Sequence, residues 1–325
     1  MGKHNRDHGG DIDMAMARYG GLPEDWIDLS TGINRVPYRL PPLPIEAWTG
    51  LPTKAAQARL LQAARAAYRT DAPILAVAGA QAAIQMIPRL GRPGRAKVLA
   101  PTYNEHAASL RAAGWTVAEV GCLDALEGAD LAVVVNPNNP DGRAHQPEAI
   151  LRLAEKVGRL VVDESFVDPV PQLSVAPLAD RSGLMVLRSF GKFYGLAGVR
   201  LGFVLGAAED LEALAELAGP WPVSGPAIAV GTLALADQEW ASATAMRLEA
   251  EAGRIDALAA QAGWRSAGGC ALFRLYDTPD ASAARDKLAR LRIWSRIFPG
   301  SSCWVRLGLP GTAAEWSRLT SALNS

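Results

Sequence analysis

The sequence has few cysteines, few histidines and no long apolar run. Its three cysteines, Cys122, Cys270 and Cys303, are odd in number and widely spaced, which argues against a disulfide framework or a zinc site. No apolar stretch approaches the roughly 20 residues of a membrane span, and the first residues lack the apolar core of a signal peptide. We therefore predict no metal site and no membrane partner, and we expect a cytoplasmic protein.

The sequence also lacks an excess of charge of either sign. Lys+Arg and Asp+Glu both count 33, so the formal net charge is zero, and nothing indicates a nucleic-acid partner. Hydrophobic residues make up 49% and charged residues 20%, as in ordinary globular proteins. A chain of 325 residues is longer than one core usually serves, which favours two domains.

Short apolar runs alternate with helical patterns in the middle of the chain. The runs are nearly continuous in hydrophobicity, as expected of strands that are covered on both faces. Their alternation with helices predicts an α/β fold with a mostly parallel, seven-stranded sheet. The seven predicted strands are Ile74–Ala78, Lys97–Ala100, Thr116–Val120, Leu131–Val135, Leu160–Val162, Met185–Leu187 and Leu201–Leu205.

The flanking segments differ from this pattern. Proline and glycine recur in the first part of the chain, which predicts an extended N-terminal arm over residues 1–44. We place a large domain at residues 45–215 and a smaller α+β domain at residues 216–325. The smaller domain should begin with a long helical stretch from about Ala227 to Ala262, broken near Gly231.

The segment from Val186 to Phe203 indicates chemistry. An apolar strand ends in a polar turn that contains Ser189, Lys192 follows in a mostly apolar stretch, and Arg200 comes eight residues later. Partial burial lowers the pKa of a lysine and leaves its amine free to attack an aldehyde. The serine and the arginine have the groups to hold a phosphate. A surface lysine in a loop between strand and helix is the alternative interpretation.

Two polar turns follow other predicted strands. Asn136-Pro137-Asn138-Asn139-Pro140 comes directly after Leu131–Val135, where strand ends open onto a ligand crevice. Asp163 ends the buried strand that begins at Leu160, and an isolated buried carboxylate needs a partner. A protonated pyridine nitrogen is one such partner, and an ion pair with Arg200 or Arg188 is the structural alternative.

Asn139, Asp163, Lys192 and Arg200, in this order, resemble the fold-type I pyridoxal 5'-phosphate (PLP) enzymes, in the histidinol-phosphate aminotransferase-like branch. The resemblance implies an aspartate-aminotransferase-like fold, PLP as cofactor and a homodimer. It also implies that Lys192 carries the cofactor as a Schiff base and shuttles protons at Cα. Asp163 keeps the pyridine nitrogen protonated, so that the ring serves as an electron sink, and Asn139 binds the ring 3-oxygen.

The resemblance extends to the cofactor's phosphate and ring face. Tyr103 is expected to stack on the ring, with His106 as the reserve. Three departures from the family are Phe166, where a tyrosine is frequent, Gly191, where serine or threonine is frequent, and Leu51, where many members carry a tyrosine before the proline. The residues implied to bind the phosphate are Gly79, Ala80, Gln81, Ser189 and Arg200, the first three at the start of a helix.

Three further motifs narrow the resemblance. His8-Gly9-Gly10, the segment Ser30–Asn34 and the lysine motif Ser189–Gly195 are together similar to the L-threonine-O-3-phosphate decarboxylases of cobalamin biosynthesis. Decarboxylation of L-threonine O-3-phosphate to (R)-1-amino-2-propanol O-2-phosphate is therefore the implied reaction. Arg306 is implied to hold the carboxylate of this amino-acid phosphate. The remaining implied substrate residues are His8, Gly9, Asn34 and Arg296.

Alternatives stay open at this point. Cofactor residues alone do not separate decarboxylation from transamination, so an aminotransferase acting on histidinol phosphate or a related amino acid is the second hypothesis. A non-catalytic PLP-fold protein is the third, but it should lack Lys192 or Asp163, and both are present. Two proposed substrate residues also have a purely structural interpretation. Arg296 is then a surface arginine, and His8 is part of a mobile terminus.

Overall fold

The structure is a computed structural model that describes residues 8–324. Its strands are β1 (Ile27–Asp28), β2 (Ile74–Val77), β3 (Arg95–Leu99), β4 (Thr116–Val120), β5 (Leu131–Val135), β6 (Leu160–Asp163), β7 (Leu184–Ser189), β8 (Gly202–Leu205), β9 (Arg265–Cys270), β10 (Phe273–Asp277), β11 (Ile293–Trp294), β12 (Arg296–Ile297) and β13 (Trp304–Gly308). Its α-helices are α1 (Ile12–Tyr19), α2 (Glu46–Thr49), α3 (Lys54–Tyr68), α4 (Ala80–Met86), α5 (Glu105–Ala112), α6 (Pro147–Ala154), α7 (Phe190–Phe193), α8 (Ala208–Ala218), α9 (Gly225–Ala236), α10 (Gln238–Gln261), α11 (Ala281–Arg290) and α12 (Ala313–Asn324).

The chain forms two compact units. The large unit consists of residues 38–139 and 143–243, and the small unit takes the remaining described residues, 8–37, 140–142 and 244–324. The domain limits predicted from the sequence, at residues 45 and 216, do not coincide with the limits of these units and stay a prediction.

The large unit is built on a seven-stranded sheet in the order β2-β8-β7-β6-β5-β3-β4. All its neighbouring strands are parallel except β8, which runs antiparallel to both β2 and β7. Every residue of β5 and β6 is buried, as strands between two helical layers should be. The predicted α/β fold with seven mostly parallel strands is confirmed.

The strand register brings the loops that follow the strands to one edge of this sheet. Asp163 on β6 lies opposite Val135 on β5 and Leu187 on β7. Gly202, the first residue of β8, lies opposite Val77 on one side and Ser189 on the other. The turns after β2, β5, β6 and β7 therefore begin from adjacent positions, where open α/β sheets bind their ligands.

The predicted helix break at Gly231 is wrong. Gly231 lies inside α9, where a Cβ atom would be 2.4 Å from the side chain of Leu201 and 2.9 Å from that of Leu60, so the glycine permits close packing. The chain breaks instead at Asp237, between α9 and α10. The Asp237 carboxylate accepts the N–H of Trp240 at 2.9 Å, as the cap of a new helix does.

The small unit contains a four-stranded antiparallel sheet, β12-β13-β10-β9, and a two-stranded parallel sheet, β1-β11. The predicted extended arm needs one correction, because α1 is helical and is capped by Asp11, whose carboxylate accepts the N–H of Met14 at 3.0 Å. The ring centroid of Tyr19, at the end of α1, lies 6.3 Å from those of Trp26 and Trp294, which are 6.2 Å from each other. This aromatic cluster fixes the start of the chain within the small unit.

Within residues 8–324, no helix is both long enough and apolar enough to cross a bilayer. Over the same stretch, no group of three or more His, Cys, Asp or Glu residues could hold a metal ion.

Candidate active site

The predicted site residues fall into two clusters, one in each unit. The cofactor residues Gly79, Ala80, Gln81, Tyr103, Asn139, Asp163, Ser189, Lys192 and Arg200 all belong to the large unit. The substrate residues His8, Gly9, Asn34, Arg296 and Arg306 all belong to the small unit.

The carboxylate of Asp163 is buried at the end of β6. His106 Nε2 lies 2.9 Å from its Oδ2, and the Ser165 N–H donates to its Oδ1 at 3.0 Å. Burial alone would raise the pKa of Asp163, but the hydrogen bond and the electrostatic attraction of His106, together with the charge of Lys192, lower it to about 2. Because an ionised carboxylate only accepts hydrogen bonds, Nε2 of His106 must carry the proton.

The alternative partner considered for Asp163, Arg188, is engaged elsewhere. Arg188 Nη2 lies 2.5 Å from Asp168 and Nη1 lies 3.2 Å from Glu164, and its guanidinium stacks over the ring of Tyr68 at 4.1 Å. Glu164 directly follows Asp163 and Arg188 directly precedes Ser189, so the buried ion pair between them links the ends of β6 and β7.

Lys192 lies on the short helix α7 and is half-buried. Its Nζ is 4.4 Å from the centroid of the Phe166 ring, and its charge acts on Asp163. A Cβ atom at the preceding Gly191 would lie 2.6 Å from Cα of Ala197. The glycine is therefore required by the backbone packing of this loop, which explains the departure from serine or threonine at that position.

Backbone and side chains pack closely where α4 begins. Gly79, with φ +76°, would place a Cβ atom 2.9 Å from Nη2 of Arg200, and a Cβ atom at Gly202 would lie 2.4 Å from the backbone nitrogen of Ala80. Two glycines thus let β8 and the Arg200 guanidinium approach the first turn of α4, where the Ala82 N–H donates to the Gly79 carbonyl at 3.0 Å. Ser189 lies opposite Gly202 in the sheet.

The side chains beside the start of α4 are linked to one another. Tyr103 donates from its hydroxyl to Oε1 of Gln81 at 3.2 Å, and Nε2 of Gln81 donates to Glu105 at 3.1 Å. The Tyr103 ring lies edge-on to His106, with 6.2 Å between centroids. Since His106 is bound to Asp163, Tyr103 remains the candidate for stacking on the cofactor, and this role stays a prediction.

The three asparagines in the turn after β5 differ in their contacts and burial. Asn136 is buried and donates to the carbonyl of His145 at 3.0 Å. Asn138 is buried and donates to the carbonyl of Pro101 at 2.8 Å while accepting from Thr102 at 2.6 Å. These two shape the turn, whereas Asn139 is half-buried.

The large-unit cluster fits PLP. A buried, ionised carboxylate at Asp163 matches a protonated pyridine nitrogen, and a half-buried lysine lies within the field of that carboxylate. The Arg200 guanidinium lies beside Gly79 at the start of α4, and a positive charge next to a helix N-terminus suits a phosphate.

The small unit holds two arginines side by side. Arg296 on β12 lies directly opposite Arg306 on β13. Arg306 is buried, 5.0 Å from the centroid of the Phe273 ring. Burial and, next, the charge of Arg296 lower the pKa of Arg306 to about 10. Two adjacent guanidiniums repel each other, so this arrangement favours the binding of an anion.

Ser30 connects Arg306 with the start of the chain. Its carbonyl accepts from Nη2 of Arg306 at 2.6 Å, and its hydroxyl accepts the Gly10 N–H at 2.7 Å. A Cβ atom at Gly9 would lie 2.5 Å from the Ser30 carbonyl oxygen. His8 and Gly9 are therefore held on the segment that also holds Arg306, and His8 is exposed.

Asn34 is buried within the small unit. Its Oδ1 accepts from Nη2 of Arg247 at 2.9 Å and from the Val36 N–H at 3.0 Å. These contacts shape the turn that follows Ser30, and a role of Asn34 at the substrate stays a prediction.

Two residues of these clusters were not identified in their structural roles from the sequence. His106 was considered only for ring stacking, and its pairing with Asp163, 57 positions away, has no local signal. Ser30 appeared only as part of a motif. Its contacts with Gly10 and Arg306 depend on the segment after β1 lying beside β13, which the sequence pattern does not indicate.

Comparison with known proteins gives a family and close relatives. The family model "Aminotransferase class I and II" matches residues 51–323. A threonine-phosphate decarboxylase of Pseudomonas aeruginosa is 46% identical over 324 residues, covering 98% of this chain and 97% of that protein. A threonine-phosphate decarboxylase of a Sinorhizobium species is 45% identical and covers 97% of both.

Solved structures share the fold. The histidinol-phosphate aminotransferase of Sinorhizobium meliloti, solved in complex with pyridoxal-5'-phosphate, superposes with a TM-score of 0.81 at 22% identity, covering 98% of this chain and 95% of that one. At this identity the likeness concerns the fold alone.

Proposed function

Because this chain belongs to the class I and II aminotransferase family, we propose that it is a PLP-dependent decarboxylase that converts L-threonine O-3-phosphate to (R)-1-amino-2-propanol O-2-phosphate and carbon dioxide. The cofactor is PLP. The observation that carries the proposal is the similarity, over nearly the whole chain, to two threonine-phosphate decarboxylases. The product supplies the aminopropanol linker in cobalamin biosynthesis.

The large-unit residues hold the cofactor. Lys192 would bind its aldehyde carbon covalently, Asp163 would pair with the pyridine nitrogen, and Asn139 would donate to the ring 3-oxygen. Tyr103 covers the ring face. The residues that bind the phosphate are Gly79, Ala80, Gln81, Ser189 and Arg200. When bound, PLP supplies an electron sink for the pair of electrons left at the substrate Cα.

Asp163 and His106 keep this electron sink in place. Asp163 is ionised over the whole neutral range because its pKa is about 2. It therefore presents a negative charge to the pyridine nitrogen and stabilises the protonated ring. His106 donates to the same carboxylate and fixes its orientation.

The small-unit residues orient the substrate. Arg306 binds the α-carboxylate through its planar fork, and Arg296 supports the phosphate. His8, Gly9 and Asn34 complete the phosphate side. A carboxylate held in one place would fix which bond at the substrate Cα is broken, and in this proposal it is the bond to the carboxylate carbon. Breaking that bond would release carbon dioxide and leave its electron pair to the cofactor, and the Lys192 side chain, once the substrate amine has taken its place on the cofactor, would return a proton to Cα.

Incubation of the PLP-loaded protein with L-threonine O-3-phosphate tests this proposal. Carbon dioxide and aminopropanol phosphate should form without any 2-oxo acid. The aminotransferase hypothesis predicts instead that histidinol phosphate converts the cofactor to its amine form and that no carbon dioxide appears. An Arg306→Ala variant, which lacks the group proposed to bind the α-carboxylate, is the control in the same assay.

We further propose that the protein is a cytoplasmic homodimer. Three large apolar side chains close together in the chain, Ile45, Trp48 and Leu51, are 65 to 68% exposed, and such patches mark protein interfaces. All three cysteines are free thiols, as is usual in a reducing compartment. Sedimentation at equilibrium should give twice the chain mass, and Trp48→Glu should shift it toward the monomer.

A further inference from the structure

Ser30 occupies the centre of the small-unit cluster. It is 1% exposed, and a buried hydroxyl is costly unless it is hydrogen-bonded. Its Oγ accepts the Gly10 N–H at 2.7 Å and donates to Oδ1 of Asp28 at 2.6 Å, and its own N–H donates to the same Oδ1 at 2.8 Å. The side chain is thus fixed, and it fixes the backbone that carries His8.

The backbone of Ser30 is hydrogen-bonded to Arg306. Its carbonyl accepts a short, charge-assisted hydrogen bond of 2.6 Å from Nη2 of the buried guanidinium. Bonds of this kind are about twice as strong as neutral ones. This backbone carbonyl, which Ser30→Ala retains, therefore sets the direction in which Arg306 presents its remaining N–H groups.

The contacts of Ser30 with Gly10 and with Arg306 are held at a fixed spacing because the backbone segments around them pack directly against one another. A Cβ atom at Gly9 would lie 2.5 Å from the Ser30 carbonyl oxygen, and one at Gly308 would lie 2.4 Å from the Thr31 carbonyl oxygen. The Gly308 N–H also donates to the Leu29 carbonyl at 2.7 Å. The segment from Leu29 to Thr31 is consequently held between β13 on one side and Gly9–Gly10 on the other.

We propose that Ser30 is a positioning residue that couples the His8–Gly10 segment to Arg306. It sets the spacing between the groups that bind the substrate's phosphate and the group that binds its carboxylate, and so it selects amino acids that carry a phosphate at the matching distance. The identity of the ligand in this inference rests on the proposed function. A displacement of about 1 Å at such a site is enough to change binding markedly.

Amide hydrogen exchange in the PLP-loaded protein tests the structural coupling without reference to any substrate. Ser30→Ala should speed exchange at the Gly10 amide by roughly fivefold, the effect of losing one ordinary hydrogen bond. The matched control is Thr278→Val, which removes another buried hydroxyl of the small unit, one that donates to the Cys303 carbonyl at 3.0 Å. It should leave Gly10 unchanged. Unchanged exchange at Gly10 in Ser30→Ala would overturn the coupling.

Ligand titration tests the selection for a phosphate. Binding is followed through the visible spectrum of the cofactor, with L-threonine O-3-phosphate and with L-threonine as the two probes. Ser30→Ala should raise the dissociation constant of the phosphorylated amino acid roughly fivefold to tenfold and leave that of L-threonine within about twofold. Equal weakening of both ligands, or of neither, would overturn the inference.

A double-mutant cycle with His8→Ala tests whether Ser30 affects phosphate binding through the His8–Gly10 segment or independently of it. If Ser30 acts through the His8–Gly10 segment, the double variant should bind the phosphorylated amino acid no more weakly than His8→Ala alone, and strictly additive losses would contradict the coupling. If the unmodified protein does not bind L-threonine O-3-phosphate at all, the proposed function fails and the phosphate selection fails with it. The exchange rate at Gly10 still decides whether Ser30 holds this segment.

Discussion

Replacing His106 by leucine removes the donor to a buried carboxylate and keeps a comparable apolar volume. The pKa of Asp163 falls from 3.8 to about 2 in the folded protein, and a shift of this size corresponds to about 2 kcal/mol of stability at neutral pH. The side chains of both residues are only 3% exposed, so solvent does not screen the interaction. We expect His106→Leu to lower the free energy of unfolding of the apoprotein by roughly 2 to 3 kcal/mol at pH 7.

The stabilisation that ionised Asp163 contributes depends on pH in a defined direction. Because the folded-state pKa of Asp163 is depressed, its ionised form stabilises the fold above its unfolded pKa, and this contribution is lost as the pH falls toward about 2. In His106→Leu the uncompensated burial should raise the pKa of Asp163. The difference in free energy of unfolding between the unmodified protein and His106→Leu should therefore be largest near neutral pH. It should become smaller as the pH approaches about 4, where the variant can protonate the Asp163 carboxylate.

Urea unfolding of the apoprotein at several pH values measures this directly. His106→Gln is the matched control, since its amide can still donate to the carboxylate, and it should recover much of the loss. A wild-type free energy of unfolding in His106→Leu, or a deficit that does not change with pH, would refute the assignment of His106 as the group that holds Asp163 ionised.

Three further variants test the remaining assignments. Lys192→Ala should abolish the visible absorption of the lysine-bound cofactor while circular dichroism stays unchanged, and a retained band would place the covalent link elsewhere. Asp163→Asn should keep PLP bound but cut kcat by orders of magnitude, because a neutral amide no longer stabilises the protonated ring; near-normal turnover would remove that role. Arg306→Ala should raise KM for the substrate by roughly tenfold to a hundredfold, the loss of charge-assisted bonds to a carboxylate, and an unchanged KM would move the carboxylate site.

Much of the large unit was predictable because its signals are local. The residues of β5 and β6 are buried on both faces, so their apolar runs stand out in the sequence. The polar residues that follow these runs were identified for the same reason. Since strand ends in an α/β sheet meet at one edge, their order along the chain was enough to indicate a common site.

The small unit was harder to predict because its elements lack such signals. β9 has the sequence Arg-Ser-Ala-Gly-Gly-Cys, without an apolar pattern, and β1, β11 and β12 are two residues long. Their pairing depends on partners far away in the chain. The contacts of Ser30 and the pairing of Arg296 with Arg306 follow from those pairings and could not be derived from spacing alone.

The stoichiometry of carbon dioxide release tests the central claim most directly. The PLP-loaded protein is given L-threonine O-3-phosphate labelled at the carboxylate carbon, with no 2-oxo acid present, and labelled carbon dioxide is counted per active site. A decarboxylase regenerates its cofactor form in every cycle, so we predict release that continues over many turnovers, with aminopropanol phosphate formed in equal amount. If no labelled carbon dioxide appears and the cofactor is instead converted once to its amine form, the chain is an aminotransferase and the decarboxylase assignment is contradicted.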